Sequence, residues 1–150
     1  MTEQAEIERR YFGTGPLVEN ASPDSIGIDI VFEDGPAGRE LATQSGAANL
    51  AQDLKVALLT PTGNDMFNVG FGFDGLRVLS ADMTPTMTTE MLRLAVLKTI
   101  ALDNRIKRVL DVRIEETEPG SRRWMTEIEV QTVIGDVQRL VLGAVEGTPS

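Results

Sequence analysis

Asp111, Glu115, Glu116, Glu118, Glu127 and Glu129 crowd the last third of the chain. Paired carboxylates can hydrolyse a glycoside when one is desolvated and held protonated. Here the acids sit on the polar sides of alternating segments, interleaved with arginines, which is the pattern of a solvated sheet face. The acids inside apolar elements are Asp53 and Glu90, both at helix positions that can face water. Gly70-Phe71-Gly72-Phe73-Asp74-Gly75 spells GxGxxG. A dinucleotide site would need a strand before it and a helix after it. No such unit surrounds it, so a glycine-permitted turn with Phe71 and Phe73 tucked inward is expected. Asn64, Asp65, Asn68 and Asp74 offer oxygen ligands without the spacing of a calcium loop. The chain has no histidine and no cysteine, which removes Ser-His-Asp catalysis, thiol nucleophiles and His or Cys metal sites. No catalytic residue, cofactor or metal is expected from these residues. A net charge of −9 speaks against nucleic acid and against an anionic membrane as partner.

The elements that must position these groups follow from periodicity. At 150 residues the chain has room for one domain. Residues 1–45 hold nine acidic and three basic groups, whereas residues 105–150 are nearly balanced. The division expected from composition is an acidic arm over 1–25, a single domain over 26–145 and a tail over 146–150. Ile26, Ile28, Ile30 and Phe32 alternate with other residues and predict a strand. Leu50, Leu54, Ala57 and Leu58 form one helical stripe, with Ser45 as its cap and Thr60-Pro61 as its stop. Residues 61–87 read as irregular. A second helix is expected from Thr88, its cap, to Asp103. Ile106, Leu110, Val112 and Ile114 then share a strand face, as do Trp124, Ile128, Val130 and Ile134. A turn at 119–121 would bring Val112 beside Ile128 and Arg113 beside Glu127. A third strand near Val137–Leu142 is apolar on both faces, and the turn before it could place either face inward. The fold class is α+β: a small antiparallel meander backed by two main helices, with an N-terminal strand and arm. A two-sided apolar edge strand asks for cover.

Residues 47–112 carry Leu58-Leu59-Thr60-Pro61 with Gly63, then Gly70-Phe71-Gly72, then a helix ending before Arg105 and a strand. In that order and spacing they resemble the GPW, or baseplate-wedge, family of sheath initiators in contractile phage tails and contractile injection systems. The family's Glu-Arg after the glycine is Asn64-Asp65 here, and its Glu-Pro-Arg is Asp103-Asn104-Arg105. The resemblance implies a structural baseplate protein, not an enzyme, that nucleates the sheath by offering a sheet edge for strand addition. Its implied partners are the sheath protein, other baseplate wedge proteins, and tube or hub proteins. It implies many copies in a symmetric ring, made in the bacterial cytoplasm and carried in the baseplate. The expected partner-binding residues are Arg105, Arg108, Val137, Arg139, Leu140, Val141 and Leu142, with Arg105 projecting from the helix–strand junction. Two other functions compete: a regulatory protein-binding module of the same fold, and a muramidase-type hydrolase.

Overall fold

A computed structural model describes residues 2–20, 28–121 and 123–146. The chain divides into two compact units, Met1–Asp53 and Leu54–Ser150.

In the first unit, the stretch expected to be an arm opens with helix α1, Glu3–Phe12. Thr2 caps it by accepting the Ala5 N–H, Glu3 and Glu6 lie in the first turn, and Gly13 closes it at φ 76°. Three extended segments follow. They pair as antiparallel ribbons: β1 (Thr14–Pro16) with β6 (Thr43–Ser45), β2 (Val18–Asn20) with β3 (Ile28–Ile30), and β4 (Phe32–Gly35) with β5 (Gly38–Leu41). Each segment changes partner at its middle residue. There the Leu17 N–H donates to the Ala42 carbonyl, Ala42 to Val31, and Val31 back to Leu17, at 2.8–3.0 Å. This closed ring of three backbone bonds satisfies the groups that each change of partner would otherwise leave unpaired. The expected strand over 26–32 is thus two short strands broken at Val31, and its positions 26 and 27 lie outside the described residues.

Helix α2, Ala47–Leu59, begins two residues after the expected cap, because Ser45 is paired with Thr14 in β6. Its Gln52 brackets the junction of ribbons: Oε1 accepts the Val18 N–H at 2.9 Å, and Nε2 donates to the Pro16 carbonyl at 2.8 Å.

In the second unit, residues 61–87 are not wholly irregular. Thr60-Pro61 lies against Phe71-Gly72-Phe73: the Phe73 N–H donates to the Thr60 carbonyl at 2.7 Å, and Pro61 bridges Phe73. A short helix α3 covers Gly75–Leu79. Helix α4 runs Pro85–Ala101 and is capped by Thr84, which accepts the Met87 N–H. The expected cap, Thr88, instead lies inside the first turns, buried, with its hydroxyl donating to the Thr84 carbonyl. Thr84-Pro85 is the real start because proline suits the first helical position, whose N–H needs no partner.

The sheet is β7 (Ile106–Glu116), β8 (Arg123–Thr132) and β9 (Val137–Glu146), in that order. Val112 faces Ile128 and Arg113 faces Glu127, the expected register. Two register shifts flank residues 107 and 110. They turn Leu110 outward, 42% exposed, where simple alternation had placed it in the core. Val112, Ile114, Trp124, Ile128, Val130, Leu140 and Leu142 are buried, with Leu92, Val96 and Ile100 of α4 also in this unit's core. The α+β class stands.

Candidate functional site

The turn between β8 and β9 decides what β9 shows to the outside. Thr132 N–H donates to the Asp136 carbonyl, and Gly135 N–H to the Thr132 carbonyl. Gly135 takes φ 97°, so this is a three-residue hairpin loop with a left-handed glycine. Leu140 and Leu142 therefore point into the core, each 6% exposed, while Val137 and Val141 lie on the outer face at 52% and 60%. The two leucines present no side chain to a neighbour, contrary to their expected place in a partner surface.

Backbone alternation follows from the same turn. Thr132 and Asp136 are a hydrogen-bonded pair, and the register holds from Gln131–Val137 to Thr126–Leu142. Even-numbered residues of β9 thus bond to β8, and Val137, Arg139 and Val141 aim their N–H and C=O groups away from it. β9 has no second neighbour among the described strands. Its free edge is unbroken over 137–142, since the one register shift on this side lies beyond Leu142. The β7 edge differs. It carries both bulges and the charged side chains of Lys107, Arg108, Asp111, Arg113 and Glu115. Bulges and charges are devices that discourage pairing at an edge. Over 137–142 the charged side chain of β9 is Arg139, on the outer face and ion-paired with Glu127 of β8. Met125 adds a further exposed apolar side chain on that face, 47% exposed, which periodicity alone did not mark as a surface anchor.

Arg108 is exposed and donates Nε–H to Gln131 Oε1 at 2.9 Å. Arg105 does not project. Its side chain is 21% exposed and forks onto Asp103, Nε to Oδ1 at 2.9 Å and Nη2 to Oδ2 at 2.6 Å. Asp103 Oδ1 also accepts the Arg105 backbone N–H, and the Arg105 carbonyl accepts the Val133 N–H from the β8–β9 turn. The expectation of a free, projecting arginine is corrected: an acid two residues earlier folds it back. Burial pushes the Asp103 carboxyl up, but hydrogen bonds from the Arg105 side chain and backbone, with its charge, outweigh this and hold it below the usual carboxylate range. A depressed folded-state value contributes stability that is complete above the unfolded pKa, near pH 4. That contribution is lost as pH falls through the lower folded value. Arg105→Ala is expected to cost about 1.5–3 kcal/mol at neutral pH, the range for bonds to charged groups. It should also flatten the acid limb of the stability curve. Urea unfolding of both proteins across the acid range checks this. A loss within about 0.5 kcal/mol would return Arg105 to the class of surface residues.

A second feature lies between α4 and β7. Thr89, Glu90 and Arg93 of α4 and Asp111, Arg113 and Glu115 of β7 are among the residues lining an open groove of about 270 Å³. Arg113 Nε holds Asp111 Oδ2 at 2.8 Å. The groove joins Glu90 to two of the sheet acids. These lie about twenty positions apart in sequence, a proximity that a linear reading of strand polarity does not contain. The GxGxxG segment is a closely packed turn. Gly72 admits the Thr60 carbonyl, and Gly75 admits the Phe73 ring, where a Cβ would meet it at 1.9 Å.

No family model matches the sequence, and no curated protein matches it. Among solved structures, the chain is similar to one described as a "putative tail lysozyme" from Geobacter sulfurreducens. The two share 20% identity at a TM-score of 0.62, over 74% of this chain and 99% of that one. At that identity the likeness shows a shared fold. It also corrects the expectation of a chain without enzymatic activity, because a protein of this fold carries an enzyme's name. That expectation rested on the absence of histidine and cysteine, which carboxylate chemistry does not need, and on acids that lie on solvated faces without a buried pair.

Proposed function

We propose that this chain is a baseplate component of a contractile tail or injection system, of the baseplate-wedge kind, and that it nucleates the sheath through β9. The observation that carries the reading is the free β9 edge, with backbone groups of Val137, Arg139 and Val141 aimed outward and Val137 and Val141 exposed beside them. Strand addition there gives affinity through main-chain bonds and register through the alternate side chains. The ordered Leu58–Pro61 and Phe71-Gly72 motifs, which meet in space, and a fold like that of a tail protein support it. In this reading the occupant of the edge is a sheath segment. Wedge, tube or hub proteins contact other surfaces, and copies of the chain form a ring in a baseplate assembled in the bacterial cytoplasm. Hydrogen exchange on the isolated chain and on the assembled particle tests it. The outward amides at 137, 139 and 141 should exchange fast in the monomer and slow markedly on assembly. Equal protection in both forms removes the edge from the mechanism.

The groove between α4 and β7 favours a second reading, a glycan hydrolase acting through Glu90 with Asp111 or Glu115. Its support is that arrangement of acids and the name borne by the similar chain. It predicts clearing on a murein zymogram that Glu90→Gln reduces at least about a hundredfold, the low end for loss of a general acid. Clearing unaffected by Glu90→Gln, or none with the wild-type chain, removes Glu90 from the reading.

A further inference from the structure

Helix α4 is apolar on two sides. Its buried side carries Thr88, Leu92, Val96, Thr99 and Ile100. At 3.6 residues per turn the opposite side carries Met87, Met91, Leu94 and Leu102. These four are 55%, 40%, 59% and 67% exposed. Leu102 extends the last turn, since its backbone is still helical at φ −76° and ψ −18°. Between Met83 and Leu102 the charged residues are Glu90, Arg93 and Lys98. Arg93 lies on the groove side, and Glu90 stands where the groove meets the outer side. Glu90 and Lys98 are both exposed, one turn before Leu94 and one turn after it. Four residues of helix rise about 6 Å, so the acid and the base are equally far from Leu94. They share with it one row spaced by four: Glu90, Leu94, Lys98, Leu102. A second such row, Met87, Met91 and Ala95, runs beside it.

A helix with an apolar outer side has a face to bury. A two-fold rotation about Leu94 exchanges the acid of this face with its base. We propose that a second copy of this chain docks here, α4 against α4, antiparallel about an axis at Leu94. Rows spaced by four pack between one another at the commonest helix crossing, about −50°. With the two rows side by side and running oppositely, Glu90 meets Lys98 of the second copy, and Lys98 meets its Glu90. Leu94 meets Leu94, and Met87 and Met91 close over the flanks, where the flexible thioether chain fits an uneven surface. Such self-complementarity is what a two-fold contact requires. A parallel pair would set acid beside acid and base beside base, which repel. Net charge does not oppose the contact. This stretch holds one acid and two bases, while residues 1–53 hold ten of the chain's acids and three of its bases. The face is separate from the β9 edge, and the contact depends neither on sheath nucleation nor on hydrolysis.

Sedimentation velocity on the full chain over a range of concentrations tests this. The wild-type chain is expected to form a reversible dimer. Leu94→Asp should weaken it at least about tenfold, through lost apolar contact and an acid set against its own copy. Glu90→Lys alone and Lys98→Glu alone should each weaken it about tenfold, because two attractive pairs become repulsive. Mixing these two variants should restore the affinity as a heterodimer, and Glu90→Lys/Lys98→Glu in one chain should restore it as a homodimer. The chain has no cysteine, so Leu94→Cys provides a single thiol that a short bis-maleimide should join to its copy. Val141→Cys is the control for pairing through β9. Urea unfolding checks that each variant folds, and if Leu94→Asp does not, the charge exchange decides. A chain that stays monomeric at about 1 mM overturns the proposal. So does a dimer indifferent to a folded Leu94→Asp or to the single reversals, one that the mixture does not restore, or one that cross-links better through Val141→Cys.

Discussion

On the proposed role of the β9 edge, Val141→Pro is expected to abolish sheath nucleation while leaving the isolated chain folded. Two facts combine to give this separation. The Val141 N–H lies on the outward side of β9, as fixed by the Thr132–Asp136 pair and the register that follows it. The Val141 side chain is 60% exposed, so its loss opens no cavity. Proline is accepted on an edge strand where the missing donor faces solvent, and the cost to the monomer should be about 1 kcal/mol, near the centre for single substitutions. A strand added to the edge would lose a main-chain bond at its middle and meet the proline ring. Val141→Ala separates backbone from side chain: it keeps the donor and should retain most assembly. Particle yield by electron microscopy, with unfolding curves for each variant, reads the result. Normal particles from Val141→Pro would exclude strand addition at this position. A monomer that unfolds would show that the Val141 amide belongs to the β8 ladder, and the alternation drawn from the turn would be wrong.

The parts of this arrangement that sequence reveals are those with a local cause. The Val112–Ile128 register follows from the parity of two apolar sets, and the structure has it. Which face of β9 is buried depends on one turn, where two-residue and three-residue loops invert the answer. Gly135 at positive φ settles it. Leu110 went to the wrong side because a bulge is one inserted residue with no periodic trace. The three-ribbon junction has no periodicity either. Its strands are three or four residues long, and its closing bonds join Leu17, Val31 and Ala42 across the chain. Arg105 shows the same limit at a single side chain. Its position at a helix–strand junction suggests exposure, and only the rotamer onto Asp103 shows otherwise. For the candidate site, the edge strand was legible, and the outward set narrows to Val137, Arg139 and Val141 only with the register known. The groove acids were each visible as acids, but their approach across α4 and β7 was not.

Gly72→Ala carries the largest expected loss of stability. Gly72 sits at φ 112°, outside the left-handed well that asparagine or aspartate tolerates, and a Cβ there would lie 2.5 Å from the Thr60 carbonyl oxygen and 3.1 Å from the Pro61 carbonyl. That oxygen cannot retreat freely, because it accepts the Phe73 N–H at 2.7 Å. Nor can the segment around Gly72 swing away. Its own carbonyl accepts the buried Thr99 hydroxyl of α4 at 3.2 Å, and Phe73 is 5% exposed in the core. Relief must break one of these bonds or lift Phe73, so the cost should be about 3 kcal/mol or more, adding strain to lost burial. Gly63→Ala is the control. Gly63 takes φ 90° with nothing within 4 Å of the added Cβ, so it isolates the conformational cost, about 1–2 kcal/mol. The difference between the two variants in urea unfolding measures the close approach. Equal losses would mean that the crossing relaxes around a methyl group. The expected gap gives a physical reason for Thr60-Pro61 and Phe71-Gly72 to occur together. Each supplies one side of a backbone contact that fixes the end of α2 against α4, and the glycine is there because no side chain fits between them.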